Sequence, residues 1–203
     1  MFQISVLPVN NAPSFVMNAA LDLLENSGLN TKILFVQSIS PGSPSGNEDF
    51  QTLTFIVSMV QDNSSLFVAD VGLPVIYPNG TLQLELAPKM KGTCIFNVSL
   101  RDSGGTANGG VDTSSTSTLT INVASVNNQP SFHSTNVTVN ESKASTQPYI
   151  LAGVASKISA GSLLEDVDQQ LTFDVQLVAN ESGYLFAQGG ASLPALFPNG
   201  TLT

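Results

Sequence analysis

The stretch "VNNAPSF" occupies Val9 to Phe15, and "VNNQPSF" occupies Val126 to Phe132, 117 positions further along. Working outward from the two copies, other landmarks return in the same order. "ISPGS" at Ile39 to Ser43 answers "ISAGS" at Ile158 to Ser162, and "QTLTFIV" at Gln51 to Val57 answers "QQLTFDV" at Gln169 to Val175. "LF" recurs at Leu66 and Leu185, and "YPNGTL" at Tyr77 to Leu82 matches "FPNGTL" at Phe197 to Leu202. The offsets drift only from 117 to 120, as small loop insertions on a common scaffold would make them. This is an internal repeat, and its period decides the fold.

The period is too long for a solenoid unit of one or two elements and has the length of an independently folding domain. "FQISV" before the first copy matches "LTINV" before the second, so Phe2 to Val6 reads as a closing strand. The expected organisation is the last strand and linker of a preceding module over 1–12, a complete module over 13–125, and an incomplete second module over 126–203 that lacks its last strands. Such a chain is expected to be part of a longer tandem array.

Inside the complete copy the apolar residues alternate. Leu53, Phe55, Val57 and Met59 share one face; Leu82, Leu84 and Leu86, then Cys94, Phe96, Val98 and Leu100, then Leu119, Ile121 and Val123 repeat the pattern. Period-two alternation between Gly, Pro and Asn punctuation signals half-buried strands. With further candidates at Leu21 to Leu24, Lys32 to Gln37 and Leu66 to Ala69, the count reaches about seven strands per module. The expected class is all-β, in tandem Greek-key β-sandwich modules.

Charged residues make up only 10% of the chain, with 6 Lys plus Arg against 15 Asp plus Glu and a net charge of -9. No basic stripe is available to displace phosphate counterions, which excludes nucleic acid as a partner. No apolar run approaches the length needed to span a bilayer, so no direct membrane insertion is expected. "MFQISVLP" is too short for a signal peptide and lacks a basic start.

Asn-X-Ser/Thr triplets begin at Asn63, Asn79, Asn97, Asn136, Asn140, Asn180 and Asn199. The alternation puts Asn97, Asn136 and Asn140 on outward faces of strands and the others in turns or loops, where a glycan can reach solvent. N-linked glycans are expected at several of them, foremost Asn97 and Asn136. The single cysteine, Cys94, alternates inward and reads as a small core hydrophobe. Each "PNG" supplies the residues of a tight hairpin turn, "GGTANGG" at Gly104 to Gly110 reads as a mobile loop, and "TSSTST" at Thr113 to Thr118 as an outward-facing strand.

The junction "VNNAPSF", the strand "TLTF", "LF" followed by "PNGTL", and "LRDSGGTANGGVDTSSTSTLTINVASVNNQPSF" together resemble the tandem cadherin-like and immunoglobulin-like repeats of large microbial and algal extracellular proteins. "LLENSG" at Leu23 to Gly28 and "VNES" at Val139 to Ser142 match the acidic element that those repeats carry early in each module. The resemblance implies an extracellular or cell-surface protein serving in adhesion, surface coats or filaments. In cadherins, carboxylates of a "DxNDNxP" linker, a "DxD" and an early acidic residue bind Ca²⁺ at module junctions. Here the linker acids are replaced by neutral Ala124, Asn127, Asn128 and Gln129, leaving Glu25, Asp102, Glu141, Asp166 and Asp168 as the candidate Ca²⁺ ligands. Affinity falls as carboxylates are removed, so no cofactor is expected to be essential.

An enzyme is not expected. His133 is the only histidine, no second histidine or cysteine is available to build a zinc site, and no Gly-x-Ser-x-Gly elbow is present. Asp166 and Asp168, alternate residues of an extended segment, would point in opposite directions. The function expected is a non-catalytic structural module of a long multi-repeat surface, coat or filament glycoprotein, whose partners are neighbouring modules or other copies in an assembly. The alternative is an adhesion module that binds a glycan or a surface protein, with Ca²⁺ at module junctions.

Overall fold

Alternating residues become strands where one face can be buried, and the computed structural model describes residues 1–61, 63–140, 149–176 and 193–203 in those terms. The chain divides into two compact units, Met1–Val126 and Asn127–Thr203. In the first, the strands are β1 (Ser14–Met17), β2 (Ala20–Leu24), β3 (Leu29–Lys32), β4 (Val36–Ser40), β5 (Thr54–Gln61), β6 (Val75–Ile76), β7 (Leu82–Glu85), β8 (Gly92–Arg101) and β9 (Ser117–Ala124). A four-stranded sheet runs β2-β9-β8-β5, a three-stranded sheet runs β3-β7-β6, and β1 pairs with β4.

β8 shows why these residues choose this form. Cys94, Phe96, Val98 and Leu100 are buried, while Thr93, Asn97 and Arg101 are exposed. Antiparallel pairing sets Phe96 beside Leu119 of β9 and Met59 of β5, so all three strands turn apolar side chains the same way. Leu82 and Leu84 of β7, with Ile76, Phe67 and Leu66, complete one buried cluster drawn from both sheets. Burying each such Leu, Ile or Phe contributes about 1.5–3 kcal/mol relative to exposure. Phe67 meets Phe96 edge to face at 5.8 Å, and Phe15 meets Phe55 at 5.3 Å. Cys94 is a fully buried thiol in this cluster, its Sγ donating to the Gln61 carbonyl at 3.3 Å.

The first strands switch partners. β1 is antiparallel to β4, then after Asn18 and Ala19 the chain continues as β2, which lies parallel to β9 with Ala20 opposite Thr120 and Leu24 opposite Ala124. A bulge breaks the β1–β4 register at Ser38, whose φ is +50°.

Several elements differ from the sequence reading. Phe2 to Val6 forms no strand and is exposed, since no neighbouring strand pairs it. Lys32 to Gln37 is two strands interrupted by a turn in which Leu34 has φ +55°. Leu66 to Ala69 is not a strand: a 3-10 turn at Ser64–Leu66 leads to a single bridge between Phe67 and Leu86. The splitting of segments gives the first unit nine strands in place of about seven.

In the second unit, β10 (Ser131–Ser134) pairs antiparallel with β11 (Ala155–Ser159), followed by a short helix α1 (Leu163–Asp168). The bulge returns at Lys157, with φ +50°, and Phe132 meets Phe173 edge to face at 5.0 Å as Phe15 meets Phe55. Residues 171–176 carry no strand, unlike their counterparts in β5. Asp166 and Asp168 therefore sit on a helical turn and not on an extended segment. Ser162 caps that turn, its Oγ accepting from the Glu165 N–H at 3.2 Å, in a Ser-x-x-Glu arrangement that starts helices.

Candidate functional site

The two linker asparagines of each unit are tied by hydrogen bonds to a buried glutamate and a glutamine of the same unit. In the first unit, the Asn11 N–H and Nδ2 both donate to Oε1 of Glu48, at 3.0 and 3.1 Å. Asn10 Nδ2 donates to Asp102 Oδ1 at 2.8 Å and to the Val111 carbonyl at 2.9 Å, while Asn10 Oδ1 accepts from Gln51 Nε2 at 2.8 Å. Asp102 Oδ1 also accepts from the Gly104 N–H at 2.9 Å, an Asx turn that brings Gly104 against the linker. A Cβ on Gly104 would stand 2.0 Å from Asn10 Oδ1, so any side chain here would displace the Asn10 amide from its bonds. The "GGTANGG" segment is tied down here: Asn108 Nδ2 donates to the Pro8 carbonyl and the Val111 N–H to the Asn10 carbonyl.

The second unit repeats the device. The Asn128 N–H donates to Glu165 Oε1 at 2.8 Å, and Gln169 Nε2 donates to Asn127 Oδ1 at 3.0 Å and to Glu165 Oε1 at 3.2 Å. Glu48 and Glu165 each follow the second linker asparagine by 37 residues. The hydrogen bond from the Asn128 backbone, joined by those from the Asn128, Ser162 and Gln169 side chains, outweighs burial and holds the Glu165 carboxyl below its ordinary value of 4.5. Glu48, Asp102 and Glu165 are all buried, and Glu48 Oε2, Gln51 Oε1, Asp102 Oδ2 and Glu165 Oε2 are buried oxygens with no hydrogen-bond partner among the described residues.

The residues singled out for calcium are not brought together. Glu25 is buried at the end of β2 where its N–H donates to the Ala124 carbonyl, and Asp102 follows the far end of β8. The register puts about 30 Å of strand between those two ends at ~3.3 Å per residue. Asp166 accepts from Ser159 Oγ and the Ala160 N–H at the end of β11, and Asp168 projects two residues along the same helical turn, so the pair does not converge. Glu141 lies outside the described residues. Among the described residues no group of three or more His, Cys, Asp or Glu is placed to hold a metal ion. Sequence reasoning passed over Glu48, Gln51, Glu165 and Gln169; the shared 37-residue spacing was the signal that pointed to the two glutamates.

The sequons differ in what their amides do. Asn97 is exposed on the outer face of β8, between Ser58 of β5 and Thr118 of β9. Asn136 and Asn140 are exposed but belong to no strand, contrary to the alternation reading. Asn63 is half-buried, its Nδ2 donating to the Thr93 carbonyl at 3.2 Å. Asn79 and Asn199 stand exposed at two turns of the same geometry. Asn180 lies outside the described residues.

Comparison with known proteins finds no matching family model, no matching curated protein and no matching solved structure. No helix among the described residues is long and apolar enough to cross a membrane.

Proposed function

We propose that the chain is a non-catalytic spacer, a run of tandem Greek-key β-sandwich modules from an extracellular coat, stalk or filament glycoprotein, partnered by neighbouring modules and by other copies in the assembly. The observation that carries this reading is the duplicated linker lock: each "VNN" docks on the module that follows it, through a buried glutamate at the same spacing. A recognition loop has no need to be the same in consecutive units; a joint that sets spacing does. The exposed sequons support the glycoprotein part, since Asn79, Asn97, Asn136, Asn140 and Asn199 can carry glycans without disturbing packing. Asn63 is the exception, because its amide nitrogen is used in the fold. Imaging of native material at a resolution that shows repeats, combined with glycopeptide mapping, tests this: regularly spaced modules with occupied exposed sequons are expected, and unmodified Asn at every sequon would remove the secreted-glycoprotein reading.

A second reading is favoured by one observation. Around the same linker asparagines, Glu48, Gln51 and Asp102 each keep a buried oxygen without a donor among the described residues. A hard cation accepts such oxygens as ligands, which would make the surroundings of the linker asparagines the place for Ca²⁺ in an adhesive array, with Asp102 as the one residue there that the sequence also singled out. Equilibrium dialysis of ⁴⁵Ca²⁺ against the whole chain and against Glu48→Gln separates the two readings.

A further inference from the structure

We propose that Tyr77 and Phe197 are platforms for the first sugar of an N-linked glycan on Asn79 and Asn199. The inference rests on the glycoprotein reading above and adds which sequons are shaped to hold a sugar, and by what contact. Each site is the same five residues in a row, aromatic-Pro-Asn-Gly-Thr. In the first unit the Gly80 N–H donates to the Tyr77 carbonyl at 2.8 Å and the Tyr77 N–H donates to the Thr81 carbonyl at 2.9 Å; in the second, Gly200 to Phe197 and Phe197 to Thr201 repeat both distances. Gly80 and Gly200 have φ of +81° and +79°. This is a three-residue hairpin loop that ends in a left-handed glycine, and it makes the aromatic residue and the threonine the closing pair on either side of the asparagine.

The asparagine is held ready. Its Oδ1 accepts from the N–H of Thr81 or Thr201 at 3.0 Å in both units, and among the described residues no hydrogen bond engages either Nδ2. Asn63 is the contrast, its nitrogen bonded to Thr93. The aromatic residue is equally unoccupied. Tyr77 and Phe197 are 42% and 47% exposed, and neither belongs to the buried cluster. The Tyr77 hydroxyl donates to Gln83 Oε1 at 2.9 Å, which fixes the direction of the ring along the hairpin. The phenylalanine of the second unit has no hydroxyl, so the feature common to both positions is the ring face.

An N-acetylglucosamine β-linked to nitrogen presents one face of C–H groups, polarised by the ring oxygen. Such a face matches the electron-rich face of an aromatic ring, and their contact takes apolar area on both from water. Attachment joins Nδ2 to the sugar C1 of a polyprenyl-pyrophosphate-linked oligosaccharide; the C1–O bond breaks, the lipid pyrophosphate departs, and one amide proton is released. The sugar then stands at the tip of a hairpin whose closing pair is spaced for side chains to touch.

The test uses the whole chain secreted from a eukaryotic host, with glycans trimmed enzymatically to a single N-acetylglucosamine and with Asn79→Gln as the sugar-free reference. NMR of the sugar at Asn79 should show its H1, H3 and H5 displaced upfield by the ring current of Tyr77, and the displacement should vanish in Tyr77→Ala or, if that variant is not secreted, Tyr77→Leu. The sugar should also raise the folding equilibrium constant about threefold to tenfold with the ring present, the size of other aromatic contacts, and less than about twofold without it. Because sugar and no sugar are compared within each ring variant, any general loss of stability on removing Tyr77 cancels. An occupied Asn79 with neither ring-current shift nor ring-dependent stabilisation overturns the platform and leaves the glycoprotein reading standing. A bare Asn79 beside an occupied Asn97 also overturns the platform, and a chain bare at every sequon overturns both.

Discussion

Glu48 and Glu165, which no motif singled out, are buried acceptors of two N–H groups each, as Asp102 is. The pair of exposed Arg101 with half-buried Asp112 is open to water on the Arg101 side and contributes little, although the Thr113 hydroxyl and the Arg101 guanidinium lower the Asp112 carboxyl. A buried carboxylate that accepts backbone and side-chain N–H groups is different, because its loss leaves those donors stranded. Glu48→Ala should destabilise the first unit by about 1.5–3 kcal/mol, the range for hydrogen bonds to a charged acceptor, and should speed hydrogen exchange at the Asn11 amide; unchanged exchange there would show that the linker does not depend on this residue. For Glu165 the same logic gives a pH dependence. Its folded pKa lies below the ordinary 4.5, so its contribution is complete above that value and is lost as pH falls through the lowered folded value. Exchange at the Asn128 amide, corrected for intrinsic pH effects, should therefore stay protected at neutral pH and lose protection only in acid below about pH 4.5. Neither glutamate was legible from local sequence. The partner of each lies 37 residues away, and nothing in a short window separates Glu165 from Asp166 beside it.

At the scale of elements, alternation foretold the long strands because each has one wet and one dry face, and β5, β8 and β9 keep the faces assigned to them. Pairing partners were not legible in the same way. The parallel contact of β2 with β9 joins residues about 100 positions apart and has no local signature. The helical turn α1 was missed because six residues are too few to show a period, leaving only Ser162 and Glu165 as a signal. Turn residues, by contrast, announce themselves through backbone demands that can be tested. A Cβ at Gly80 would lie 2.1 Å from the Val36 carbonyl at φ +81°, whereas Gly28, at φ +60°, has nothing within 4 Å. Gly28→Ala should cost about 1 kcal/mol from the left-handed backbone alone, and Gly80→Ala about 3 kcal/mol once the clash is added. Equal costs in chemical unfolding would mean that the hairpin tip is not pressed against β4. The bulges predict the opposite sign: Ser38 and Lys157 hold φ +50° without being glycine, so Ser38→Gly should stabilise the first unit by about 0.5–1 kcal/mol.

For the whole molecule the question is whether the units need an ion to hold their form. Each of the linker asparagines already finds donors or acceptors within its own unit, and the buried cluster of the first unit draws on two sheets without help from any charged group. Against this stand the unpartnered oxygens of Glu48, Gln51 and Asp102. A cation bound there would stabilise the folded unit by mass action, by an amount that grows with concentration over Kd. Three oxygens are about half of the six to eight that Ca²⁺ gathers, and Glu25, the other candidate acid of the first unit, lies at the opposite end of the strands from Asp102. Thermal unfolding of the whole chain in millimolar Ca²⁺ and again in excess chelator should consequently differ by less than about 5 °C for the first unit, the equivalent of roughly 1 kcal/mol in a domain of this size. A larger rise that Glu48→Gln abolishes would move the weight to the second reading, in which the surroundings of the linker asparagines form a calcium joint and the spacing of the array is set by the ion as much as by the asparagines.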